Sequence, residues 1–257
     1  MPEWIALSRS AHAEARYVPR RGYAHAEGQA VLPVQLAELS RLLPHYALAL
    51  VVRESGYRPV ALLSLDGTTN LYLHPDGRWL CPYVPAALRG WPFTLARDEA
   101  RQVLCLEKGA LVQAPEGAAL FDEAGELAAP VAGTLRFLEQ CERGREATAR
   151  ATRALNEAGV IAEWPLDIPG GEGAPPRALK GLYGVDEKAL NALGPEALVA
   201  LRDAGGLALA YGLLFSRPQT ERLTALEKAR ATFDPAAPAE PAPWGEAEDE
   251  LTFDFDS

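Results

Sequence analysis

The sequence predicts an α+β fold: an N-terminal antiparallel sheet arranged as a meander, a long middle helix, a C-terminal cluster of helices, and a disordered acidic tail. Three observations predict it. Between residues 47 and 107, short apolar runs alternate with the turn signals Glu54-Ser55-Gly56, Asp66-Gly67 and Pro75-Asp76-Gly77. From Pro130 to Ala158 the chain is helix-compatible, with proline in the first turn and Gly159 just past the end. After Asp186, helix caps and breakers recur at helical spacing, until the composition shifts beyond Arg230 to proline, alanine and acids.

In chain order, residues 1–30 are polar and read as an extended arm. Val31-Leu32-Pro33 begins the packed domain. Gln35–Leu43 is a short helix with Leu36, Leu39, Leu42 and Leu43 on one face, ended by Pro44. Ala47–Arg53 and Tyr57–Leu65 form a hairpin, with Pro59 expected near a strand start or on an edge. Asn70–Leu73 and Trp79-Leu80 are candidate strands around Pro75–Gly77, where proline fixes φ and glycine accepts a positive one. Pro82, Pro85 and Pro92 then forbid a helix of useful length, so residues 81–93 read as an ordered aromatic loop with one turn at Ala86–Arg89. Phe93–Ala96 and Gln102–Glu107 complete the meander.

Leu120–Leu127 can turn at Glu123-Ala124-Gly125. In the long helix, Val131, Leu135, Leu138, Cys141, Thr148 and Leu155 make the apolar stripe. Arg143-Gly144-Arg145-Glu146 interrupts it and predicts a bend or a solvent-facing turn. Val160–Ile168 and Ala178–Tyr183 read as strands around the loop Pro169–Pro176. Asp186 caps a helix to Leu193, Pro195–Ala204 is the next, and Gly206–Phe215, apolar on nearly all sides, is expected at the centre of the core. Ser216-Arg217-Pro218-Gln219 has capping-box spacing for a last helix. The expected organisation is an arm (1–30), one α+β domain (31–230), and a linker with an acidic-aromatic tail (231–257).

The chain has 257 residues, 48% hydrophobic and 23% charged, ordinary for a globular protein. Its net charge of −10 is uneven: residues 231–257 hold eight acids and no Lys or Arg, leaving 27 acids against 25 bases elsewhere. No basic stripe exists to follow a phosphate backbone, which argues against nucleic acid. The N-terminus lacks a continuous apolar stretch, and no run approaches the length of a transmembrane segment, so the expected location is cytoplasmic. The three cysteines, Cys81, Cys105 and Cys141, are far apart and fit a reducing compartment.

Motifs for chemistry are missing. No two of His12, His25, His45 and His74 have zinc-ligand spacing, so no metal site is expected. Neither a G-x-S-x-G elbow nor a phosphate-binding glycine loop occurs, and no cofactor is expected. The absence of a catalytic motif argues against an enzyme. What remains is the aromatic loop and its approach. Asn70, Trp79, Tyr83, Arg89, Trp91 and Phe93 are candidate ligand- or partner-binding residues, because Trp, Tyr and Arg carry much of the energy at interfaces. Equally, the rings can cap the core, with Arg89 stacked on one of them and Asn70 serving a turn.

The same stretch carries a resemblance. Asn70-Leu71-Tyr72-Leu73, Trp79, Tyr83-Val84-Pro85-Ala86 and Arg89-Gly90-Trp91-Pro92-Phe93 look like the core motif of the SapC family of bacterial proteins. It continues through Leu179-Lys180-Gly181-Leu182-Tyr183, Asp186–Leu193 and Gly206–Ser216. The resemblance implies a link, by the family's name, to surface-layer (S-layer) systems of Gram-negative bacteria, and it brings no catalytic residues. The reading it supports is a non-catalytic accessory or interaction protein in surface-layer protein assembly or secretion, with another protein as partner. The alternative is an enzyme or cofactor-dependent partner protein with a small-molecule or peptide site at residues 79–93. Oligomeric state is open.

The tail has its own pattern. Leu251, Phe253 and Phe255 alternate with Thr252, Asp254 and Asp256, so an extended chain puts the apolar side chains on one side. These three are candidate docking residues, with a solvated tail as the other reading.

Overall fold

The computed structural model describes residues 2–98, 101–113, 117–168 and 177–233, and the fold is α+β. In chain order the elements are β1 (Trp4–Ala6), α1 (Arg9–His12), β2 (Arg16–Tyr17), β3 (Val31–Pro33), α2 (Leu39–Leu42), β4 (Leu48–Arg53), β5 (Gly56–Leu62), α3 (Ala86–Arg89), β6 (Phe93–Asp98), β7 (Arg101–Glu107), β8 (Leu111–Val112) and β9 (Ala118–Ala119). There follow α4 (Ala129–Glu157), β10 (Ile161–Glu163), β11 (Leu166–Ile168), β12 (Arg177–Leu179), β13 (Tyr183–Val185), α5 (Glu187–Asn191), α6 (Pro195–Asp203), α7 (Gly206–Ser216) and α8 (Thr220–Phe233). The chain divides into two compact units. Unit one takes its described residues from Met1–Gly22 and Leu88–Arg143, unit two from Tyr23–Ala87 and Gly144–Ala247. No single helix among the described residues is long and apolar enough to cross a membrane.

Unit one holds two small antiparallel sheets, in the orders β1-β7-β6 and β8-β2-β9. Phe93, Leu106, Leu120 and Val131 are buried in its core, with Leu135 and Leu138 of α4 packed beside them. The turn expected at Glu123-Ala124-Gly125 is present. Gly125 takes φ 75°, and a single bridge, Phe121 to Leu127, closes it.

Unit two is built on a five-stranded antiparallel sheet in the order β10-β13-β4-β5-β3. The expected hairpin is its centre: Arg53 faces Gly56 across Glu54-Ser55, and the ladder runs back to Leu48 opposite Ala61. Pro59 sits mid-strand rather than at a start or an edge. Its carbonyl accepts the Val34 N–H, so its missing N–H faces the same side, where the β3 ladder has just ended. Residues 31–107 do not form one meander. β4 has β13 on its outer edge and β5 has β3, so both edges of the hairpin are taken, and β6 and β7 pair in unit one with β1.

Several local expectations change for physical reasons. Gln35–Leu43 is a 3-10 turn at Leu36–Glu38 followed by the four residues of α2. Asn70–Leu73 and Trp79-Leu80 make the bridge Leu73 to Trp79 and the bond from Leu80 N–H to the Tyr72 carbonyl but no longer ladder, because the Tyr72 N–H goes to the Asn70 side chain and the Leu71 N–H to the Leu63 carbonyl. Val160–Ile168 splits at Trp164-Pro165 into β10 and β11, and Ala178–Tyr183 splits at Gly181 (φ 81°) into β12 and β13. Ser216 makes no capping bond; its hydroxyl accepts the Leu48 N–H at 2.9 Å and donates to the Leu213 carbonyl. The long helix α4 is continuous through Arg143-Gly144-Arg145-Glu146, with Arg143, Arg145 and Glu146 exposed, the solvent-facing alternative. The loop expected at Pro169–Pro176 lies outside the described residues.

The turn at Asp66-Gly67 is held by one carboxylate. Asp66 Oδ1 accepts from Ser64 Oγ (2.7 Å), Thr68 N–H (2.8 Å) and Thr69 N–H (2.7 Å). Partial burial alone would raise this carboxyl, but the bonds from Thr69, Ser64 and Thr68 outweigh it and hold it well below the usual aspartate range. A carboxyl depressed on folding stabilises the fold above its unfolded pKa and loses that contribution as pH falls through the folded one. Asp66→Asn is therefore expected to melt below the wild type at neutral pH. The gap should begin to close as pH drops under about 4. Thermal melts across that range check it, and a gap independent of pH contradicts the assignment.

Candidate functional site

The six residues singled out by the sequence fall in different units. Asn70, Trp79 and Tyr83 belong to unit two; Arg89, Trp91 and Phe93 belong to unit one.

In unit two the organising residue is Tyr46, which no motif in the sequence marks. It follows the Pro44 stop after α2 and is fully buried. Its hydroxyl donates to the Tyr83 carbonyl and accepts from Trp79 Nε1 at 2.8 Å. The Tyr46 ring stacks on Tyr72 at 4.7 Å between centroids, and Tyr72 stacks on Trp79 at 5.9 Å. Tyr23 meets Trp79 edge-on. The Tyr72 hydroxyl donates to the His45 carbonyl at 2.7 Å. Burial pushes the Tyr46 phenol far up, helped by a hydrogen bond with Cys81 and opposed by the Trp79 donor. Burial also raises Tyr72, with Arg222 opposing. Both phenols therefore stay neutral donors at any physiological pH.

Asn70 is buried and serves the backbone. Its Nδ2 donates to the Ala26 carbonyl (2.8 Å) and its Oδ1 accepts the Tyr72 N–H (3.0 Å). Arg230 of α8 donates to the carbonyls of Asn70 and Leu73. Tyr83 donates through its hydroxyl to Glu38 Oε1 at 2.8 Å, and the same oxygen accepts the Ala86 N–H at 2.6 Å. Glu38 Oε2 accepts the Gln35 N–H at 3.3 Å. This carboxylate is only 5% exposed. It ties the 3-10 turn before α2 to the proline-rich loop 45 residues later, and a sequence pattern gives no sign of it.

In unit one Phe93 is buried edge-on against Tyr17 at 4.9 Å. Trp91, half-buried, meets Trp4 edge-on at 5.5 Å, and the Trp91–Pro92 bond is cis. Arg89 is exposed and lies over the Phe137 ring at 4.8 Å. Gly90 permits the close approach of α4: a Cβ there would stand 2.6 Å from Leu138 Cδ2.

Two further features lie in unit two. An open groove of about 800 Å³ is lined by Glu163, Trp164, Asp186, Lys188, Asn191 and Arg217 among others. Arg217 crosses the Trp164 ring at 5.5 Å and donates to the Val185 carbonyl at 2.8 Å. Asp186 caps α5 by accepting the N–H groups of Lys188 and Ala189. Two of the groove's charged residues, Asp186 and Arg217, are thus partly committed to the fold. The second feature is α7. The sequence places it at the centre of the core; most of it is buried, through Gly206, Leu209, Ala210, Gly212, Leu213, Leu214 and Ser216, but one strip is left open. Ala208, Tyr211, Phe215 and Pro218 lie exposed at helical spacing, with Phe215 67% exposed and its ring stacked on Tyr211 at 5.6 Å. No charged side chain interrupts α7. The cue was present in the sequence as two aromatics four apart on a helix with no polar face.

Among the described residues no group of three His, Cys, Asp or Glu side chains could hold a metal ion. The tail candidates Leu251, Phe253 and Phe255 lie outside the described residues.

The motif blocks around Asn70–Phe93 and Gly206–Ser216 both fall inside one extended similarity. No curated protein and no solved structure matches the chain. The sequence profile of SapC matches residues 7–223, most of the chain and both units, and the chain belongs to the SapC family.

Proposed function

We propose that this protein is a non-catalytic accessory protein that docks another protein during surface-layer protein assembly or secretion in a Gram-negative bacterium. The family's name supports the setting. The observation that carries docking is the exposed apolar face of α7, where Phe215 is 67% exposed beside Tyr211. Large aromatics left in water at helical spacing are the usual anchors of a protein interface. A small-molecule or peptide site at residues 79–93 has less support, since Trp79 Nε1 and the Tyr83 hydroxyl are bonded to Tyr46 and Glu38.

The test uses the surface-layer protein of the source bacterium, purified and immobilised. Wild-type chain should bind it. Tyr211→Ser with Phe215→Ser should weaken binding by about tenfold or more, as expected for interface anchors. The melting temperature should fall only modestly, because Phe215 is 67% exposed and Tyr211 37%. Undiminished binding by the double variant overturns the reading. Loss on Trp164→Ala instead would move the docking site to the groove.

A further inference from the structure

The five-stranded sheet of unit two ends in β10 on one side and β3 on the other. Antiparallel strands bond through alternate residues, so the ladder decides which backbone groups face outward at each edge. At β3 the Leu63 N–H meets the Ala30 carbonyl and the Val34 N–H meets the Pro59 carbonyl, so Val31 and Pro33 face out. Pro33 has no N–H, and a proline at an outward position blunts an edge. At β10 the Asp186 N–H bonds the Val160 carbonyl and the Trp164 N–H bonds the Leu182 carbonyl, both at 2.8 Å, with Ala162 opposite Gly184. Ala162 thus bonds inward, and its neighbours Ile161 and Glu163 turn their N–H and carbonyl groups outward. Among the described residues no backbone group bonds those four. Such a row of donors and acceptors fits another extended backbone.

The side chains along this edge say what that backbone must carry. On one face, Ala162 and Trp164 border the open groove, with Lys188, Asn191 and Arg217 across it. The groove is deep here because Ala162 is small and Gly184 beside it has no Cβ; one would stand 3.2 Å from Arg217 Nη2 and 3.5 Å from Trp164 Cβ. Arg217 already serves the Val185 carbonyl and the Trp164 ring, so the space over Ala162 suits a large apolar side chain against the half-buried tryptophan. On the other face stands Glu163, exposed and opposite Tyr183 of β13. A strand added to β10 sets one residue directly against Glu163, where an opposite charge stabilises and a like charge repels. A second copy pairing its own β10 about Ala162 would bring Ile161 against Glu163 and only an alanine over the groove, so it meets neither need.

We infer that β10 takes up an extended segment of a partner protein as a sixth strand of this sheet, with a lysine or arginine opposite Glu163 and a large apolar residue opposite Ala162. This goes beyond the docking assigned to α7 and does not rest on it.

The probe is a fluorescein-labelled peptide, Thr-Thr-Lys-Phe-Val-Thr-Thr, titrated into the full chain and followed by fluorescence polarisation. In antiparallel pairing its lysine meets Glu163, its phenylalanine Ala162 and its valine Ile161. Wild type should bind it saturably, and exchanging the lysine for glutamate should weaken binding several-fold. Glu163→Lys should reverse that preference. N-methylation of the lysine and valine amides, which face β10, should abolish binding, while N-methylation of the phenylalanine amide, which faces away, should leave it unchanged. Glu163→Pro removes an outward donor that the fold does not use, together with the charge, and should weaken binding about tenfold or more. Absence of saturable binding by wild type overturns the inference. So does binding indifferent to which amide is methylated, a charge preference that Glu163→Lys fails to reverse, or undiminished binding by a folded Glu163→Pro protein. If the proline variant does not fold, the charge reversal and the methylated peptides decide. Loss of the peptide in the Tyr211→Ser, Phe215→Ser protein would place it on α7, and a wild-type dimer that Glu163→Lys dissociates would give the edge to a second copy; either result overturns the inference.

Discussion

Tyr46→Ala is expected to lower stability by about 3–5 kcal/mol, the range for removing a fully buried aromatic ring. The ring ends the ladder Tyr46–Tyr72–Trp79, so a cavity opens where Tyr72 loses its stacked neighbour and Trp79 its hydrogen-bond acceptor. Tyr46→Phe isolates the hydroxyl. It keeps the ring but strips Trp79 Nε1 of its acceptor and the Tyr83 carbonyl of its donor. Buried groups left without partners cost about 1–3 kcal/mol, so the phenylalanine variant should fall between alanine and wild type. Urea denaturation of the three proteins orders them. If Tyr46→Phe matches the wild type, the hydroxyl carries nothing and the loop is held by packing alone.

Glu38→Ala should be the second large loss, about 3 kcal/mol or more, because a buried carboxylate makes the stronger, charge-assisted kind of hydrogen bond. Its removal leaves the Tyr83 hydroxyl and the Ala86 N–H without an acceptor at once. Glu38→Gln keeps one oxygen and should recover part of the loss. Tyr83→Phe, which removes only one of the donors, should cost less than Glu38→Ala. Calorimetric melts decide the order, and a Glu38→Ala protein as stable as Tyr83→Phe would mean that the Ala86 bond contributes nothing.

These two residues also mark where the sequence stops being legible. The hairpin of β4 and β5 could be read because its turn is local and its glycine, Gly56 at φ 106°, sits where a turn needs it. The C-terminal helices could be read for the same reason: Asp186 caps α5, Pro195 opens α6, and Gly205 at φ 79° ends it. Sheet partners could not. β13 lies beside β4 although more than 120 residues separate them, and nothing local in Leu48–Arg53 announces it. The candidate residues Asn70 and Trp79 were found by their types, but their bonds to Ala26 and Tyr46 are long-range choices. Nothing local marks Glu38 as buried, since an acid is rarely enclosed unless bonded and its partners Tyr83 and Ala86 lie more than 40 residues on. α7 was misjudged because an uninterrupted apolar helix is usually enclosed, and here one side is left open.

The two N-terminal strands of unit one have a consequence in time. β1 pairs Trp4 with Glu107 and Ala6 with Cys105, and β2 lies between β8 and β9. A ribosome makes these first residues about 100 residues before their partners. At the usual rate of synthesis that is roughly 5–20 s during which Trp4, Ile5 and Tyr17 have no sheet to join. The emerging chain must therefore wait in the open, with the segment that closes unit one exposed to any chaperone at the tunnel exit. Slow translation should favour such capture, while the β4–β5 hairpin, whose strands emerge within 15 residues of each other, closes almost as it appears.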